Sequence, residues 1–281
     1  MSKPLELLGQ PDRKAQNEKR WAISAKWRAR LSSFAIGAIL PVSLLAIWQL
    51  AGDLGLIDTF FLPTPSMIFA AFGDLFASGD LTYHLGVSLG RAAVGFAIGG
   101  SIGLLLGLVV GFSRYGEYVL DPSVQLFRMV PHLAIAPLII LWFGFGEVSK
   151  ILIIAKGAFF PLYINTFLGI RNVDNKLFDV ARVMSFSRWK QIFLLVIPAS
   201  LPQMFLGLRL SLALSWLGLV VAELIGSQAG IGFLMTIAKQ NSIMEIIFVG
   251  VILFAVVGKL IDSFVRLLER RFLQWQDSYK G

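Results

Sequence analysis

The chain has 281 residues, 56% of them hydrophobic and 15% charged, with a formal net charge of +8 and no cysteine. Soluble domains run at roughly 45–50% apolar and about 25% charged. This balance therefore excludes a conventional soluble enzyme, a secreted disulfide scaffold, thiolate metal sites and cysteine nucleophiles. Only two histidines are present, His84 and His132, which argues against a histidine metal cluster.

The first thirty residues are polar and carry eight Lys/Arg. They are too long and too basic for a cleavable signal, and no small-residue cleavage site follows. Six apolar blocks come next, at Leu31–Gly52, Tyr83–Phe112, Pro122–Phe145, Val148–Ile170, Ile192–Ala222 and Ile246–Val265. Each supplies the ~20 residues needed to cross a ~30 Å hydrocarbon layer. With the N-terminus inside, the inner segments 1–30, 113–121, 171–191 and 266–281 hold 18 of the 25 Lys/Arg, and the outer segments hold only Lys239. That asymmetry predicts cytoplasmic N- and C-termini, and it accounts for most of the positive charge without nucleic acid. Two shorter apolar stretches lie outside the spans. Pro65–Ser78 reads as an amphipathic helix at the outer interface. Gly226–Glu245 reads either as a loop dipping back toward the bundle or as a surface helix.

Gly95, Gly99, Gly103, Gly107 and Gly111 recur every fourth residue in the second block, a spacing that lets two helices approach closely in lipid. Pro41, Pro131, Pro137 and Pro161 lie inside spans, and Pro198 and Pro202 open the fifth. Each removes a backbone hydrogen bond that neighbours must replace. The cations Arg91, Arg128, Lys156, Arg209 and Lys259 also fall within spans. Arg91, Arg128 and Lys259 are expected to snorkel to the cytoplasmic interface, whereas Lys156 and Arg209 are deep enough to favour an anionic solute in a pathway. Gly86–Gly90 matches the G-x-S-x-G pattern of serine hydrolases, but it opens a membrane helix rather than a strand-to-helix turn. An intramembrane protease would need His132 as its base. Ser88 is read as a small packing residue.

No phosphate-binding G-x-x-x-x-G-K-[ST] loop is present, so energy for active transport must come from another chain or an ion gradient. The inner segment Arg171–Gln191 is far longer than a helix connection needs. Its Leu177, Val180, Ala181 and Met184 recur at helical spacing, giving an apolar face suited to a groove on a soluble partner.

This segment resembles the coupling motif E-A-A-x3-G-x9-I-x-L-P of ABC importer permeases. Its positions fall on Asp179, Val180, Ala181, Ser185, Leu195, Ile197 and Pro198, with Arg182 between them. Asp179 replaces the motif's glutamate, Val180 an alanine and Ser185 the turn glycine. Serine resists the positive φ that glycine permits, so a different turn is expected here. The runs FLPTPSMIFAAF, LGRAAVGFAIGGSIGLLLGL, RMVPHLAIAPLIILWFGFGEVSKI and GSQAGIGFL are similar to the nitrate/sulfonate/taurine branch, and most of all to aliphatic sulfonate permeases. The resemblance implies an all-α membrane protein of the bacterial inner (plasma) membrane with the six-helix type I importer fold. It divides the chain into a basic tail (1–30), a first helix with an outer segment (31–78), a permease core (79–268) and a second tail (269–281). It implies a homodimer of permeases, two cytoplasmic ATP-binding subunits, an external solute-binding protein and a lipid surround. No cofactor is expected in this chain, since ATP-Mg belongs to the ATPase subunits. The expected solute is an aliphatic sulfonate, with taurine or nitrate as alternatives and an ATP-independent channel or carrier as the rival class.

Overall fold

A computed structural model of the chain describes residues 36–273. The basic N-terminal segment, the start of the first span at Leu31, the C-terminal tail beyond 273 and the side chain of His132 lie outside the described residues. Among the described residues every regular element is helical. Five helices are long and apolar enough to cross a membrane.

The described chain divides into two units, one ending at Met67 and one beginning at Ile68. In the first, α1 (Ile36–Asp53) exposes aliphatic side chains on nearly every face, as a helix surrounded by lipid does. Gln49 closes the end of this unit, its Oε1 accepting from the Ser66 N–H at 3.0 Å.

Helix α2 (Pro65–Ala77) leads to α3 (Asp80–Phe112), whose start is set by Gly79 in the left-handed region and by Asp80 in the first turn. A carboxylate there complements the helix dipole. Ser113, extended and accepting from the Gly116 N–H, turns the chain into α4 (Arg114–Arg128). The inner segment 113–121 is largely helical, and one expectation fails here: the third span is not one helix. It breaks at Met129–Pro131 and resumes as the 12-residue α5 (His132–Phe143). Proline has no N–H to donate and restricts the residue before it to extended backbone, so Val130 cannot continue α4 through Pro131.

Helix α6 (Glu147–Arg171) runs through the centre, and α7 (Asn175–Val183), α8 (Arg188–Gln191), a π-helical turn (Ile192–Val196) and α9 (Ile197–Gly226) follow. The π turn has a local cause: Pro198 cannot donate an α-helical bond, and a one-residue-wider turn relieves the clash of its ring with the preceding turn. Helices α10 (Ile231–Gln240) and α11 (Met244–Phe272) complete the chain, the latter passing four residues beyond the expected core boundary.

Helix α6 lies between α3 and α9, and glycines set both spacings. A Cβ on Gly103 would stand 2.5 Å from the Phe159 carbonyl oxygen, on Gly107 2.7 Å from that of Tyr163, and on Gly99 against the backbone of Ala155. Gly95 and Gly111 face Ile154 and Ile170. All five glycines of the stripe thus look at α6, which the sequence alone did not identify as their partner. On the other side of α6, Gly157 meets the backbone of Leu214, and Gly207 meets Pro161 and Asn165. Here close contact replaces the hydrophobic drive that lipid does not supply.

Candidate functional site: the loop below the bundle and the ionic lock above it

The segment joining α6 to α9 is built as a rigid bracket. Asp174 caps α7 by accepting from the Lys176 N–H at 2.9 Å. Ala181 is 1% exposed, and Phe178 packs on the apolar cluster of Ile170, Val173 and Val196. Leu195 joins the same cluster, while Ile197 and Pro198 open α9. The opposite face of α7 is bare: Val180 and Met184 are more than half exposed and Val183 is 87% exposed. Asp179 and Arg182 stand beside them, 3.3 Å apart and both exposed. The apolar face expected from sequence therefore holds Leu177, Val180 and Met184, while Ala181 is turned inward to pack.

The end of α7 corrects a second expectation. Ser185 adopts φ 52°, the left-handed conformation that glycine would take. Its N–H donates to the Arg182 carbonyl at 3.0 Å, and the Phe186 N–H donates to that of Ala181 at 2.9 Å. Those two bonds define the Schellman helix end, so the turn keeps the glycine geometry with a serine in place. Beyond it, Ser187 caps α8, and the Gln191 side chain donates to the Phe186 carbonyl at 3.0 Å. Trp189 projects from α8 and stacks on Phe193.

At the opposite end of the bundle is a buried ionic cluster that sequence reasoning missed. Arg91, 6% exposed, makes a two-pronged bond to Glu147 at 2.7 and 2.6 Å. It also donates to Glu223 at 2.9 Å, to the Ser227 hydroxyl at 2.9 Å and to the Ala229 carbonyl at 2.6 Å. Glu223, fully buried, further accepts from Ser88 at 2.8 Å and from the Gly232 N–H at 2.9 Å. The Ile231 N–H donates to Ser88, and the Gly230 N–H to His84 Nδ1. Gly230 has φ +107°, and any Cβ there would strike the Glu223 carboxylate. Segment 227–232 thus folds back onto α3 and α9. Arg91 lies about 16 Å along α3 from Asp80 and about 31 Å from Phe112, far from the α7 end to which snorkelling was expected to carry it. Ser88 is a polar node of this cluster rather than simple packing.

The two cations assigned to a pathway do not share a site. Lys156 Nζ donates to the Val130 carbonyl at 3.0 Å, an acceptor given no backbone donor among the described residues at the α4–α5 break because the Ala134 N–H bonds to Pro131, and lies 5.7 Å from the Phe160 ring centroid. Arg209 Nε is bound to Asp262 on α11 at 2.6 Å. Arg171 ties the end of α6 to Glu117 of α4 at 2.5 Å. No group of three or more His, Asp or Glu side chains suited to a metal occurs among the described residues.

Residues 99–274 match the family described as binding-protein-dependent transport system inner membrane component. The putative aliphatic sulfonates transport permease of Bacillus subtilis (strain 168) is 56% identical over 87% of this chain and 89% of its own length. That of Escherichia coli (strain K12) is 45% identical over 90% and 95%. Among solved structures, an amino acid ABC transporter with histidines is 19% identical and shares the fold, with a TM-score of 0.59 over 72% of this chain and 96% of that one.

Proposed function

The chain belongs to the binding-protein-dependent transport system inner membrane components, the multi-pass permease subunits of ABC importers, and we propose that the solute it passes is an aliphatic sulfonate. The permease is not an enzyme. The identities of 56% and 45% to two putative aliphatic sulfonate permeases, each across most of both chains, carry the choice of solute over taurine and nitrate.

The mechanism follows from the bracket. Two copies form the pathway, and a cytoplasmic ATPase subunit grips each α7. The exposed Val180, Val183 and Met184, with Asp179 and Arg182 at their edge, make the contact. An apolar helix face of this kind fits a groove, and the charged rim sets its register. Ala181, Ser185, Leu195, Ile197 and Pro198 hold α7 to the foot of α6 and α9, so closure of the ATPase pair on ATP moves the bundle. ATP and Mg²⁺ are held by those partners. An external binding protein delivers the anion to the opposite end, and both termini lie in the cytoplasm. Lys156, at the broken joint between α4 and α5, is the cation this reading assigns to the pathway. Arg209, already matched by Asp262, is assigned no such role.

The test is reconstitution of the permease with its ATPase and binding-protein partners in vesicles. Ethanesulfonate should be taken up with ATP hydrolysis, in preference to taurine and nitrate. Val180→Asp or Asp179→Arg should abolish stimulation of hydrolysis while membrane insertion persists. Uptake without an ATPase subunit refutes the coupling, and preferred uptake of nitrate or taurine refutes the solute.

A further inference from the structure

Asp262, on the face of α11 turned toward α9, gathers three cations. Arg209 Nε binds it at 2.6 Å, Arg266 at 3.0 Å and Lys259 at 3.9 Å. Three positive charges against one carboxylate leave an excess of two. Arg266 and Lys259 remain 46% and 69% exposed, although exposed Val256, Leu260 and Phe264 surround them on α11. Asp262 is about 10 Å from the midpoint of the apolar 246–265 stretch, so Arg266 stands near the boundary of a hydrocarbon layer about 15 Å thick on each side.

A cavity of about 320 Å³ opens beside this cluster between α9 and α11, walled by Leu212, Ala213, Trp216, Ile261 and Val265. A second, of about 330 Å³, shares Leu212, Trp216 and Ile261 and reaches α3 at Leu89 and Phe96. The shared walls make a groove that is cationic at the α7 end and apolar along its length. A hydrated small anion entering it would lose its water against hydrocarbon. A short sulfonate such as ethanesulfonate would leave most of the two adjoining cavities, about 320 and 330 Å³, unfilled, whereas a long-chain amphiphile with a negative head matches both ends.

We propose that this groove holds one anionic phospholipid of the leaflet on the α7 side, with its phosphate on Lys259 and Arg266 and an acyl chain along Ile261, Leu212 and Trp216. Asp262 and Arg209 position the two outer cations. Arg266 is the cation at the membrane surface, Lys259 standing about 5 Å from the midpoint, and one surface charge predicts a preference for phosphatidylglycerol over phosphatidylcholine on the order of fivefold.

The full chain, purified in detergent with equal amounts of the two lipids, is examined by native mass spectrometry. The wild type should retain one phosphatidylglycerol with that preference. Lys259→Gln with Arg266→Gln should bring the two lipids to equal retention, and Lys259→Arg with Arg266→Lys should preserve the preference. Independently of those variants, phosphatidylglycerol brominated on its acyl chain should quench tryptophan emission more than brominated phosphatidylcholine does, a difference that Trp216→Phe removes. Equal retention of both lipids by the wild type overturns the assignment. So does displacement of the lipid by ethanesulfonate, which makes the groove a site for the transported anion. Ready disulfide formation between two Lys259→Cys chains in membranes also overturns it, because the face is then an interface between copies.

Discussion

Replacing Arg91 with glutamine removes one side chain but two interactions of unequal weight. Its bonds to Glu147 engage a carboxylate that is 57% exposed, and such pairs contribute only about 0–1 kcal/mol. Its bond to Glu223 engages a carboxylate with no exposure. Breaking a buried pair by removing one partner costs about 3–5 kcal/mol, because the other charge stays buried and uncompensated. Arg91→Gln is therefore expected to cost about 3–5 kcal/mol, and Glu147→Gln about 0–1 kcal/mol. Pairing Arg91→Gln with Glu223→Gln removes the stranded charge, so the double variant should be less costly than the sum of the singles by about 0.5–3 kcal/mol. Reversible unfolding in mixed micelles, followed by circular dichroism, measures the wild type, the three single variants and the double. Equal losses for Arg91→Gln and Glu147→Gln, or an additive cycle, would refute the assignment of the lock to Glu223.

Three more outcomes follow from the geometry. Gly103→Ala places a methyl 2.5 Å from the Phe159 carbonyl oxygen, whereas Gly90→Ala meets nothing within 4 Å; the first should cost about 1–3 kcal/mol and the second be neutral or stabilising, by the same unfolding assay. Ser185→Gly relieves a left-handed φ worth about 1–2 kcal/mol to an L-residue, so hydrogen exchange at the Phe186 amide should slow, and Ser185→Val should speed it. Gly230→Ala should lower thermal stability in detergent, because it combines a left-handed φ with collision against Glu223.

The spans were legible because length and apolar continuity are properties of a window, and five of the six blocks form long helices. The third failed for the same reason: a window of twenty apolar residues does not register that Pro131 removes one donor and bends its predecessor. Hydrophobic spacing located α7, but it grouped inward Ala181 with outward Val180, since a nine-residue helix has too few turns to separate a packed face from a bare one. At Ser185 intrinsic preference pointed to another turn, and two backbone bonds at the helix end outweighed it. Arg91 was the largest miss. Its partners lie 56 and 132 residues away in the chain, and a single cation in an apolar run carries no mark of which end of the helix will hold its counter-charges. Read together, Ser88, Arg91, Glu223 and the glycines at 226, 230 and 232 were the available signal.

Because α3, α6 and α9 touch through backbone at their glycines, none of the three can slide past another without steric collision. They amount to a single stiff slab, clasped at one edge by Arg91 and joined at the other to the α7 bracket, about 38 Å away along α6. If α7 is the coupling helix proposed above, a push on it tilts the whole slab, and a change of opening has to arise at its borders. Spin labels at two positions within the slab should keep their separation through an ATP cycle, while labels on the two copies of the proposed dimer should change theirs.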